Sequence, residues 1–140
     1  MGLVLCATRG GEESIKTQTK AITLAKERGD PLVFLYVADS SFLDKTAAAV
    51  VVDVQEELMH MGEFFLVMAV ERAAEKDVNA KAVIRAGSFI PTFIEVAHEL
   101  DATVIVLGRP GGENRRFDEE EFADFCSYLA EETGAEIITS

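Results

Sequence analysis

The chain has 140 residues, 49% of them hydrophobic, with 25 acidic side chains against 13 basic ones and a net charge of −12. That size suits one domain over residues 1–140, able to bury roughly two-thirds of its unfolded surface. The charge opposes nucleic acids and anionic membranes, and the longest unbroken apolar run, Phe64 to Val70, is far short of the roughly 20 residues of a membrane span.

The opening MGLVLCATRGG carries no basic stretch ahead of an apolar core, so a soluble, cytoplasmic chain is expected. Leu3, Val4, Leu5, Cys6 and Ala7 read as a first strand, and Thr8 to Gly11 as a loop. Ile15, Ala21, Ile22 and Ala25 mark one face of a helix that Gly29, Asp30 and Pro31 stop. Leu32 to Val37 is a second strand, followed by a polar break at Asp39 to Ser41 and an unassigned stretch from Phe42 to Ala49. Val51, Val54, Leu58, Met61, Phe65 and Met68 step by 3, 4, 3, 4 and 3, which predicts a helix running to about Lys76 with those residues on its core side. Phe64, Val67 and Val70 widen the stripe.

Ala80 to Arg85 is a third strand, and Gly87 and Ser88 supply a turn and a cap for a helix carrying Ile90, Phe93, Ile94, Ala97 and Leu100. Thr103 to Leu107 is a fourth strand that runs into Gly108, Gly111 and Gly112. A strand that ends in glycines and feeds a helix is the arrangement that presents backbone N–H groups to an anion. The following helix, however, opens on Asp118, Glu119, Glu120 and Glu121, whose carboxylates already complement its dipole and oppose a polyphosphate. Phe122, Phe125, Cys126 and Leu129 give that helix a core face, Gly134 closes it, and Ala135 to Thr139 is a last strand. Strands and helices in alternation, with continuous apolar strands, define an α/β domain: a five-stranded parallel sheet with helices on both faces. Ligands of such sheets sit beyond the strand C-termini where the winding reverses.

The segments LVLCATRGGEES, LVFLYVAD and VIRAGSFIPTFIEVAHELDATVIVLG, with Gly108 and Gly111 after them, resemble the universal stress protein family over nearly the whole chain. The resemblance implies a Rossmann-like fold of the adenine nucleotide alpha hydrolase type with strand order 3-2-1-4-5. It also implies a crevice lined by Thr8, Arg9, Val37, Gly108, Arg109 and Gly111, where ATP-binding members hold nucleotide. In those members a glycine and a Ser or Thr follow the second loop glycine after nine residues; here that count lands on Glu121 and Phe122. Thr8 is followed by Arg9 where such members commonly have Asp. No cofactor is therefore expected, ATP or AMP being the alternative. The family's last strand commonly pairs with its own copy, so Ala135 to Thr139 is expected at a sheet edge in a homodimer, with Ile137 and Ile138 near the contact and residues 64–70 as the rival surface.

Other groups read more plainly. Gly10 to Ser14 is similar to the S-G-G-x-D-S loop of ATP pyrophosphatases, with Arg9 and Glu13 substituted, but so short a match arises readily by chance and the segment reads as a helix-entry turn whose acids favour the dipole. Glu57 with His60, and Glu95 with His98 and Glu99, are single motifs on solvated helix faces, short of the paired sets a di-iron site requires. Cys6 and Cys126 read as reduced core thiols, and two helix-borne histidines leave little from which to build a nucleophile and base. Arg9, Arg109, Arg115 and Arg116 either flank the crevice or pair with the acids at 118–121. The expectation is a regulatory or binding module with a protein partner, not an enzyme; a nucleotide-binding or weakly hydrolysing member with an altered loop is the second reading.

Overall fold

The computed structural model describes residues 2–8, 12–39, 48–108 and 119–140. In chain order the elements are β1 (Val4–Ala7), α1 (Glu12–Arg28), β2 (Leu32–Ala38), α2 (Ala48–Glu75), β3 (Ala80–Ala86), α3 (Phe89–Glu99), β4 (Val104–Leu107), α4 (Glu119–Thr133) and β5 (Glu136–Thr139). All neighbouring strands pair in parallel in the order β3-β2-β1-β4-β5.

Side chains alternate across this sheet, so each strand feeds two cores. Val4, Cys6, Leu32, Phe34, Tyr36, Val104 and Val106 point to the α1 and α2 side, where they meet Ala21, Ile22, Ala25, Leu66, Ala69 and Ala73. Leu5, Val33, Leu35, Ile105 and Leu107 point to the other side, against Phe93, Val96 and Ala97 of α3 and Phe125 and Leu129 of α4. Burial on both faces is what makes β1, β2 and β4 continuous apolar runs. Phe34 and Phe93 are fully buried, one in each core, and each contributes about 1.5–3 kcal/mol.

The stop of α1 follows the sequence expectation. Gly29 takes φ 67°, a left-handed value that a Cβ would strain, and the Asp30 N–H donates to Ala25 O at 3.1 Å to close the helix end.

Three expectations are corrected. Ile15 is 38% exposed, so the core face of α1 begins one turn later, with Thr17 and Gln18 buried beside Ala21 and Ile22. On α2 the core side is Gly62, Leu66, Ala69 and Ala73, with Leu58 and Phe65 at its margin, while Met61 and Met68 are exposed together with Phe64 and Val67. The cause is packing distance at one point: Gly62 lies so close against the Tyr36 ring and Ile84 that a side chain there would clash, and Leu66, Ala69 and Ala73 follow it on the same face. Ser88 is the N-cap of α3 but makes no side-chain cap bond; Asp39 Oδ2 accepts the Phe89 N–H at 3.0 Å instead. The stretch at 42–47 and the loop at 109–118 lie outside the described residues.

Candidate functional site

The sheet winds in opposite directions from its middle: β1 leads through α1 to β2, and β4 leads through α4 to β5, on the other face. The C-terminal ends of the adjacent strands β1 and β4 therefore border the crevice position that parallel sheets of this kind use for ligands.

Thr8 follows β1 and extends its ladder, its N–H donating to Leu35 O at 2.9 Å. Its side chain is held from behind. Gln18 Nε2 donates to Thr8 Oγ1 at 2.8 Å, and Arg72 donates to Gln18 Oε1 at 2.6 Å. A guanidinium has only donors, so Arg72 fixes the orientation of the Gln18 amide, and that amide in turn makes Thr8 Oγ1 the acceptor. Thr8 and Gln18 are both 2% exposed, so this chain of contacts joins the outer helix α2 to the end of the central strand through a nearly dry interior.

Gly108 sits at the end of β4 beside α1. A Cβ there would come within 2.6 Å of Thr17 Oγ1, a hydroxyl that also lies 2.7 Å from Ser140 Oγ. The glycine thus permits α1 to approach the strand end, a packing role it fills whatever the crevice holds. Around it Lys20 Nζ donates to Thr139 O at 2.8 Å and Ser140 N–H to Leu107 O at 3.0 Å, closing β5 onto β4 and α1. Val37 is half-buried near the end of β2, where it packs toward the α3 and α4 core.

Of the six crevice residues read from the sequence, the structure places Thr8, Val37 and Gly108 at the ends of β1, β2 and β4. Arg9, Arg109 and Gly111 lie outside the described residues, as do Gly10 to Gly11 and the arginines at 115 and 116. Phe122 is half-buried against the α3–α4 core and Glu121 is exposed. Cys6 is fully buried, and burial pushes its thiol pKa far above the ordinary value, which leaves it protonated and poorly nucleophilic. His60, His98, Glu57 and Glu95 are exposed on their helices. Among the described residues no group of three or more His, Cys, Asp or Glu could hold a metal ion. None of their helices is long and apolar enough to cross a membrane.

Gln18 and Arg72 were not legible as site residues. The only sequence signal is that Gln18 falls in step with Ala21, Ile22 and Ala25, a polar residue on an apolar face.

A doubly wound parallel sheet whose winding reverses between β1 and β4 defines the class of Rossmann-like domains that commonly bind nucleotides. Within that class the chain belongs to the universal stress protein family, whose model matches residues 1–137. Among solved structures it is similar to the universal stress protein UspA from Lactobacillus plantarum, at 20% identity and TM-score 0.79, covering 99% of this chain and 96% of that one. It is similar also to a family member from Arabidopsis thaliana with AMP bound, at 13% identity, TM-score 0.69 and coverage of 99% and 90%. A third is the universal stress protein from Archaeoglobus fulgidus in complex with dAMP, at 15% identity, TM-score 0.62 and coverage of 99% and 96%. No curated protein matches the sequence.

Proposed function

We propose that this chain is a regulatory binding module of the universal stress protein family that acts through protein contacts, as a homodimer, without taking ATP through the family's phosphate loop. The observation that carries the reading is Phe122. It stands where the loop motif calls for a hydroxyl, it has no donor, and its ring is committed to the core around Phe125 and Leu129. The exposed carboxylate of Glu121 beside it adds repulsion toward a triphosphate.

Among the described residues, β3 and β5 are the outer strands of the sheet. β3 presents exposed Lys81 and Arg85, the kind of charge that blocks edge association. β5 has one charge, Glu136, and it lies 3.7 Å from Arg28, while Ile137 and Ile138 are half-buried. That favours β5 as the strand that meets its own copy.

The AMP and dAMP complexes of similar folds support a second reading, a nucleoside monophosphate held at Thr8 and Val37 without a polyphosphate loop. Calorimetry with magnesium ATP, AMP and dAMP separates them. The first reading expects no heat of binding; low-micromolar magnesium ATP overturns it, and AMP binding alone selects the second. Sedimentation equilibrium at micromolar concentration should give twice 15.2 kDa. Ile137→Pro, which removes an edge donor, should give the monomer. A wild-type monomer refutes the dimer.

A further inference from the structure

The long helix α2 turns Gly62, Leu66, Ala69 and Ala73 to the core and leaves four large apolar residues facing water. Met61, Phe64, Val67 and Met68 are 48%, 64%, 56% and 38% exposed. The Phe64 ring touches Phe65 edge-on at 6.3 Å, so the exposed band is continuous with the interior. Outward residues Glu57, Met61, Phe64, Met68, Glu71 and Glu75 step by 4, 3, 4, 3 and 4, the spacing of a seam that receives another helix. Its middle is apolar over about 10 Å, and carboxylates stand at both ends of a span of about 27 Å.

This charge pattern decides the occupant. A second copy laid antiparallel would bring the Glu57 end against the Glu71 and Glu75 end, and a parallel copy would bring each acid against itself. Both arrangements set like charges together in a chain of net charge −12. Arg72, the one cation of this part of α2, donates inward to Gln18. The complement is a helix with three or so large apolar residues over two turns and Lys or Arg beyond them. Methionines suit such a role because their flexible thioether side chains adapt to varied apolar partners.

We propose that the outer face of α2 is a docking site for a basic amphipathic helix of a partner protein. This rests on the reading above that the module acts through protein contacts, and it supplies the partner's chemistry. α2 packs over β2 and β3, toward the opposite edge from β5, so pairing through β5 leaves both copies of the face open.

The test uses a synthetic leucine–lysine peptide of about 18 residues, long enough to cover the seam as a helix. Its leucines are at i, i+3, i+4 and i+7, and the control is the same composition in scrambled order. Titration followed by anisotropy and far-UV dichroism should show one peptide per chain and gain of helix. Phe64→Ser, which removes an exposed ring and keeps the fold, should weaken binding about tenfold, as loss of an interface anchor does. Glu57→Gln with Glu75→Gln should weaken it and flatten its salt dependence. The proposal is overturned if the scrambled peptide binds as tightly or if Phe64→Ser binds unchanged. It is overturned also if the protein self-associates in a way that Phe64→Ser abolishes and Ile137→Pro does not. ATP binding or a wild-type monomer would sink the functional reading while leaving the peptide result intact.

Discussion

Gln18 offers a direct measure of how the interior supports the crevice. Gln18→Leu keeps the shape and removes both polar contacts, the one to Thr8 Oγ1 at 2.8 Å and the one from Arg72 at 2.6 Å. The neutral bond contributes about 1 kcal/mol and the charge-assisted one about 1.5–3 kcal/mol, while the added apolar burial of leucine returns about 1 kcal/mol. The net cost is about 1.5–3 kcal/mol, or about 5–12 °C in Tm for a domain of this size. Gln18→Glu is the control. Its carboxylate still accepts from Arg72 and now accepts from the Thr8 hydroxyl, so both partners remain satisfied and Tm should stay within roughly 2 °C. Scanning calorimetry at neutral pH reads both variants. If Gln18→Leu melts with the wild type, or Gln18→Glu falls as far as Gln18→Leu, the contacts do not stabilise the fold as argued.

The double variant Glu121→Gly with Phe122→Ser should raise affinity for magnesium ATP and lose about 1–2 kcal/mol from the half-buried ring; unchanged affinity in a folded variant would move the obstruction to Arg9. Gly62→Ala should lower Tm although helix propensity alone favours alanine by about 1 kcal/mol, because the new methyl meets Tyr36 Cε1 at 2.6 Å and Ile84 Cδ1 at 2.8 Å, and such overpacking costs about 1–3 kcal/mol. A higher Tm would show that α2 stands further from the sheet. Burial raises the pKa of Cys6 and of Tyr36, so both hold their protons longer folded than unfolded: their contribution is complete below the ordinary thiol value of 9.0 and lost as pH rises beyond it. Urea melts from pH 8 to about pH 10.5 should show falling stability, and a flat profile would contradict that sign.

The strands were legible because burial on both faces leaves no polar positions in 104–107 or 32–38, and the strand order came with the family resemblance. The face of α2 was misread because hydrophobicity ranks Met and Phe above Gly and Ala. The core side was set instead by Gly62, thin enough to let the helix approach Tyr36, with Leu66, Ala69 and Ala73 following on the same face. Contacts at long range left no local trace. Arg72 meets Gln18 across 54 residues and Asp39 meets the Phe89 N–H across 50, and nothing in the neighbourhood of either residue announces its partner. At the crevice, Thr8 was legible through the resemblance, but the side chains that hold it were not, since a polar residue on an apolar helix face reads first as an interruption.

The central place of β1 also shapes how the chain reaches this fold. Val4 pairs with Leu32 on one side and with Val104 on the other, so one flank of β1 is completed by residues close behind it and the other by residues far along the chain. Closing the second flank carries the larger entropic cost of a long loop, and that places it late. A nascent chain that has made β1, α1, β2, α2 and β3 holds one half of the sheet with the β1 edge bare. During synthesis at about 5–20 residues per second, that bare apolar edge persists for seconds before β4 covers it. In that interval the strand destined for the middle of the sheet is the surface a chaperone, or another nascent copy, would meet first.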